Sequence, residues 1–175
     1  MTIIYADPPW KYDTAIALSY SLKNHYPTME FEDICALPVK DIAAKDAVLF
    51  LWSTNAHLEK AIKVINAWGF TYKSNKVWAK NIKNGLGYYF HPRHETLLLA
   101  TKGNIGTPEP ANRPESVLHA DRRRHSQKPE EVYDDIERMY PRLSNKLELF
   151  ARNTRPGWYA WGNEVANCPK LFRAA

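Results

Sequence analysis

At 175 residues, with 45% hydrophobic and 25% charged side chains and a mean hydropathy of -0.51, the chain has the size of one domain with its own core. That balance excludes a disordered chain, and no run approaches the roughly 20 apolar residues that a bilayer-spanning helix needs. Twenty-four Lys and Arg against 19 Asp and Glu give a net charge of +5, which permits a polyanionic partner without demonstrating one.

A strand pattern begins at residue 2 without a leader-like segment, so a single cytoplasmic domain over residues 1–175 is expected. Cys35 and Cys168 stand apart and outside any Cys/His cluster, which predicts two free thiols and no metal site.

Residues 2–6 read as a buried strand, stopped by Asp7-Pro8-Pro9-Trp10 because prolines supply no ladder donors. Residues 11–28 lack periodicity and read as a functional loop. A short helix is expected over 30–37, closed by Pro38, with a further turn over 39–44. The apolar run 47–52 (AVLFLW) suits a strand covered on both faces. Asn55 is placed to cap the next helix, whose apolar residues 58, 61, 62, 65 and 68 share one face and which Gly69 stops.

Residues 70–79 form the next strand candidate, 81–91 a Gly- and Tyr-bearing loop, and 95–101 another buried strand. A Pro-rich loop over 104–115 precedes a short strand at 116–119. Pro129 opens a helix over 129–140 with Val132, Ile136 and Met139 on one face. Residues 146–150 (KLELF) read as a last clear strand, and 158–165 receive no assignment. Strands alternating with helices predict an α/β fold on a mostly parallel sheet, with a ligand cleft beyond the carboxyl ends of the strands that deliver Asp7 and Phe150.

Asp-Pro-Pro-aromatic after a strand fits one particular chemistry. An exocyclic aromatic amine is a poor nucleophile until acceptors hold both its hydrogens. Here the Asp7 carboxylate would take one and the Pro8 carbonyl the other, with Pro8 and Pro9 fixing the backbone in advance. Trp10 offers a face on which an extruded base could stack. The plain alternative is an Asp-Pro turn with a packed tryptophan.

The stretch YADPPW resembles the catalytic motif of the adenine N6-methyltransferase family named after the seventy-kilodalton subunit of the mRNA adenosine methyltransferase, a family that also contains phage and bacterial DNA adenine methyltransferases. AVLFLW, the spacing Gly69-Phe70 to Trp78 and Lys80, HSQKPEEVYDDIERMYP (125–141) and KLELFARNTRPGWYAWGNEV (146–165) resemble its other blocks, in its order. The resemblance spans residues 4–165. It implies a Rossmann-like S-adenosylmethionine-dependent fold of permuted motif order, with helices on both faces of the sheet. It also implies transfer of a methyl group to adenine N6.

Carried over, Asp7 would contact both the target amine and the donor, and Lys128 would neutralise the donor's carboxylate. Arg152, Asn163 and Glu164 would hold the donor's ribose and adenine above the strand end Glu148, Leu149 and Phe150. Tyr26 and Glu95 match positions near the acceptor. Without the resemblance, Lys128 reads as a solvated lysine, Arg152 as the surface partner of a carboxylate and Asn163 as a turn residue. One departure stands out: Ala151-Arg152-Asn153 replaces the Gly-rich loop usual after the cofactor strand in related DNA methyltransferases, so side chains must hold the donor.

Two basic groups, Arg122, Arg123, Arg124 and Lys128 on one side and Lys73, Lys76, Lys80 and Lys83 on the other, are candidates for phosphate contacts. A solvated surface is the plain reading of both. The expected partner is DNA with its target adenine flipped out or unpaired; RNA, and a silent nucleic-acid-binding subunit, are the alternatives. The resemblance further implies pairing with a second copy or a related subunit.

Overall fold

The computed structural model describes residues 1–12, 27–82, 87, 89–123 and 127–165. The apolar runs near the start of the chain have no polar alternation, and they form the doubly covered middle of a sheet. These are β1 (Ile3–Ala6) and β2 (Ala47–Ser53), in which every residue is buried. The other strands are β3 (Thr71–Lys80), β4 (His94–Lys102), β5 (Val117–Ala120), β6 (Lys146–Leu149) and β7 (Trp158–Trp161), in the order β5-β3-β4-β2-β1-β6-β7. Pairing is parallel except where β4 meets β2 and β3, so β4 alone runs against the rest.

Alternation along β1 and β2 divides the core in two. Ile4, Ala6, Leu49 and Leu51 face α1 (Phe31–Ala36), α2 (Val39–Ile42) and α3 (Leu58–Ala67). Ile3, Tyr5, Val48, Phe50 and Trp52 face α4 (Glu131–Met139) through Val132 and Ile136. Helices therefore cover both faces, as a Rossmann-like methyltransferase fold requires. Among the described residues no helix is long and apolar enough to cross a membrane.

Gly69 stops α3 as its sequence predicts. It adopts φ 79°, and the Phe70 and Gly69 amides donate to Ile65 and Asn66 at 3.0 Å, the paired bonds of a Schellman end. The start of that helix differs from expectation. Asn55 lies inside a 3-10 turn, Asn55–His57, with no side-chain cap, and the Thr54 hydroxyl is spent on the His57 ring instead. β6 ends one residue early because Phe150 takes φ 62°. Residues 158–161, unassigned from sequence, form the edge strand β7. Most of the loop expected over 11–28, together with Tyr26, Lys83, Arg124 and Cys168, lies outside the described residues. Cys35 is a free thiol.

Register places the chemistry at one end of the sheet. Ala6 aligns with Leu51 and Leu149, so Asp7, Trp52 and Phe150 emerge side by side. Because β4 is reversed, its beginning lies at this same end: Ser53 aligns with Thr96, and Glu95 with Trp78. Lys80 aligns with Ala120, and Leu149 with Trp161, which brings the chain after β5 and the tripeptide 162–164 to the same rim.

Candidate active site

The proline corner is fastened from three sides. The Trp10 amide donates to the Pro8 carbonyl at 2.8 Å, a bond closed around Pro9 in the manner of a γ-turn. The Met29 amide donates to the Pro9 carbonyl at 2.9 Å, in an isolated bridge between Trp10 and Met29. Trp10 itself is only 7% exposed. Its indole N–H donates to the Trp52 carbonyl at 3.2 Å, and its ring stacks on His57 with centroids 5.4 Å apart. The packed-tryptophan alternative therefore describes one face of Trp10. Trp10 also lines a small cavity of about 180 Å³ shared with Met29, Phe31 and Lys60.

His57 was not singled out from the sequence, yet it is 3% exposed and holds the corner's exit. Its Nε2 lies 3.0 Å from the Lys11 carbonyl, which accepts only, so Nε2 carries the hydrogen and Nδ1 accepts from Thr54 Oγ1 at 2.8 Å.

Behind Asp7 runs a chain of alternating charge. Lys128 Nζ donates to Asp7 Oδ2 at 2.7 Å and lies 3.3 Å from Glu95 Oε2, while Glu95 Oε1 pairs with Lys80. Side-chain exposure is 9% for Lys128 and 15% for Glu95, and buried carboxylates of this kind persist only with such partners. Burial pushes the Asp7 carboxyl up; Lys128 pulls it back and Glu95 pushes it up again, leaving it raised. Burial also raises Glu95, but Lys128 and Lys80 together outweigh it and the net direction is down. For Lys128 burial opposes the charge, and the two carboxylates overcome it and hold the ammonium protonated. Among the described residues only Oδ2 of Asp7 is engaged, and the Pro8 carbonyl keeps a second lone pair beside its bond to Trp10.

Asp7 and Lys128 open onto a cavity of about 310 Å³ whose walls include Tyr5, Tyr133, Glu148, Phe150 and Arg152. That size lies at the lower end of small-molecule sites. Glu148 is pushed up to about 7, by burial first, with the Tyr133 hydroxyl working against it and Asp7 adding to the rise. Tyr133 on α4 is fixed by Arg155, whose guanidinium lies 4.4 Å from the ring centroid and pairs with Glu130 at 3.0 Å and Asp134 at 3.2 Å. Carboxylates, guanidinium, ammonium and aromatic rings in one cleft fit a ligand carrying an amino-acid end and a nucleoside end. Phe150 turns away from β6 against Trp161, with centroids 5.7 Å apart.

Gly162 closes this corner. The Ala151 amide donates to the Trp161 carbonyl at 2.9 Å, and a Cβ on Gly162 would run into the Ala151 backbone.

Of the residues expected at the cofactor site, Asp7, Lys128, Glu148, Phe150 and Arg152 line this cavity. Leu149 is fully buried beneath it. Asn163 and Glu164 are exposed and outside its lining, although Glu164 lies 3.6 Å from Arg152. Of the expected substrate contacts, Lys80 and Glu95 are paired with each other, Arg122 is exposed, and Arg123 pairs with Glu131 at 3.0 Å. Lys76, in the second basic group, is committed to Asp135 at 2.8 Å. Tyr133 and Arg155 were also missed, because nothing in local sequence pairs a mid-helix tyrosine with a strand carboxylate.

The MT-A70 family model matches residues 1–164. The chain is similar to the Type II methyltransferase M.MunI of Mycoplasma sp, at 36% identity over 93% of this chain and 77% of that protein. It is also similar to the N(6)-adenosine-methyltransferase MT-A70-like protein of Arabidopsis thaliana, at 33% identity over 93% of this chain and 23% of that one. A third relative is the N(6)-adenosine-methyltransferase catalytic subunit METTL3 of Homo sapiens, at 31% identity over 93% of this chain and 28% of that one. The chain thus spans about a quarter of these two longer relatives. With a match that runs from the first strand through the loop after the last, the chain belongs to the MT-A70 methyltransferase family.

Proposed function

We propose that this chain methylates the N6 amino group of adenine in DNA, acting on a flipped-out or unpaired base. The observation that carries the reading is Asp7 at the end of β1, with one carboxylate oxygen tied to Lys128 and the group as a whole opening into the cavity beside Glu148 and Arg152. S-adenosylmethionine supplies a sulfonium-activated methyl group when bound. In this reading Lys128 would neutralise its carboxylate, and Arg152, with Glu148 and Phe150 at the strand end, would hold its ribose and adenine. Asp7 would accept a hydrogen bond from one N–H of the adenine amine and the Pro8 carbonyl from the other, freeing the nitrogen lone pair for the methyl group; the carbon–sulfur bond breaks as the nitrogen–carbon bond forms, and the proton the amine sheds passes to water. The prolines and the bond from Met29 hold these acceptors in place before the base arrives, which is where preorganisation lowers a barrier. DNA is favoured because the chain is compact like the phage and bacterial members that its sequence resembles, and its match to the Type II methyltransferase M.MunI covers most of both chains. The relatives named N(6)-adenosine-methyltransferase support RNA as the second reading.

Incubation with tritiated donor and duplex DNA, single-stranded DNA or RNA, followed by nucleoside analysis, tests both polymer and atom. Label is expected in N6-methyladenine from DNA. The D7A variant should fold and transfer nothing measurable; turnover comparable to wild type would remove Asp7 from the reaction.

A further inference from the structure

Two aromatic side chains stand almost wholly in solvent at the same rim of the sheet. Tyr89 is 95% exposed and Phe90 87%, against 54% for Tyr159, the next most exposed large hydrophobic residue described. Their display is built into the backbone. An added Cβ on Gly87 would collide with the Phe90 carbonyl oxygen and lie 2.9 Å from Pro92 Cδ, so Gly87 packs against the backbone at Phe90 while the side chains of Tyr89 and Phe90 stand in solvent.

The turn belongs to the connection from β3 to β4, whose ends are tied by the Lys80 amide donating to the Arg93 carbonyl at 2.8 Å. Lys80 pairs with Glu95, and Glu95 faces the lysine that holds Asp7. Register sets the chain after β5 next to this connection, because Lys80 aligns with Ala120, and that chain carries the exposed Arg122, followed by Arg123 in its pair with Glu131. Arg93 is exposed as well, and the sequence has no acidic residue between 81 and 93.

We propose that Tyr89 and Phe90 form an aromatic finger that stacks on unstacked bases of the substrate strand beside the target adenine, while the neighbouring arginines hold its phosphates. The proposal rests on the nucleic-acid reading above and adds the surface that grips the strand. Exposed aromatic faces and cations carried on neighbouring connections of one rim are the elements of a single-strand platform, in which bases stack and phosphates are neutralised. A second copy of this chain is a poor occupant, because it would bring the same arginines against each other. Two side chains at a loop tip also cover far less than the roughly 800 Å² per partner of a stable interface.

The test is anisotropy titration of a fluorescein-labelled single-stranded DNA oligonucleotide containing one adenine, and of the same strand made abasic on both sides of it. An RNA of the same sequence is run in parallel. Y89A/F90A is expected to weaken binding of the intact strand by roughly tenfold or more, with less than about a twofold change on the abasic strand. Y89W/F90W should restore the intact-strand affinity, and calorimetric binding of S-adenosylmethionine should be unchanged in both variants.

Unchanged affinity for the intact strand, or equal losses on both strands, overturns the finger. So does a change in the protein's own sedimentation with no effect on the strand, which would assign the pair to contacts between copies. If wild type transfers tritium and Y89A/F90A binds as wild type does, only the finger fails. If wild type neither binds nor methylates any strand, the reading beneath it fails too.

Discussion

A glutamate whose carboxyl is held near 7 on the wall of the cavity makes the molecule respond to pH. Glu148 ionises more easily in the unfolded chain, whose value lies near the ordinary 4.5, than in the folded one at about 7. Between those two values the folded state binds more protons, so its stability falls as pH rises through this window and is level above it. E148Q removes the effect. It should raise the melting temperature relative to wild type at pH 8 and leave little difference at pH 4, at roughly 2–4 °C per kcal/mol for a chain of this size. It should also weaken donor binding by calorimetry; donor affinity equal to wild type at pH 8 would take Glu148 out of the site.

Asp7 was legible because its neighbours are covalent ones: a strand before it and two prolines after it. His57, Tyr133 and Arg155 were not, since their partners Lys11, Glu148 and Glu130 come from other elements and are joined to them only by the fold. Trp10 was half legible. Its place in the motif pointed to a base, while its indole bond to Trp52 and its ring contact with His57 are tertiary facts.

At the scale of elements, β6 and β7 end together in a crossing with no spare volume. Ala151 and Gly162 meet backbone to backbone, and that approach shapes the turn carrying Phe150 and Arg152. Here close backbone approach does what a glycine-rich loop does elsewhere, but with the glycine on the neighbouring strand's exit. From sequence, Asn163 beside it looked like a turn residue and the lack of glycine after KLELF looked like a departure. Both follow from the pairing of Leu149 with Trp161.

G162A must push the two exits apart. It is expected to cost about 1–3 kcal/mol, as overfilled sites do. A drop of several degrees in the melting temperature should accompany a loss of S-adenosylmethionine binding; unaltered donor binding in G162A would show that this crossing does not shape the site. Boundaries were read less well than elements for a related reason. Asn55 had the chemistry of a cap, but the 3-10 turn before α3 moved the helix start past it.

At the scale of the molecule, one reversed strand among the seven of the described residues brings the start of β4 to where the other strands finish, which is how Glu95 and Lys80 come to stand behind Asp7. The alternation of strand and helix foretold a mostly parallel sheet but not the single reversal, because β3 and β4 are joined by a connection whose apolar pattern is silent on direction. The excess of +5 is unevenly used: Lys76 and Lys80 are consumed in ion pairs, while Arg122 remains exposed at the rim. Binding of DNA should therefore weaken linearly in log–log plots against salt, and R122A should make the slope shallower by about one. An unaltered slope would put the phosphates elsewhere.

The bond from Met29 to the Pro9 carbonyl has an evolutionary reading. It is made by backbone atoms on both sides, so the side chain at position 29, which lines the cavity beside Trp10, can be exchanged while the proline corner keeps its shape. A lineage could thereby retune which targets it accepts, as one swaps the bit of a drill while the chuck stays clamped.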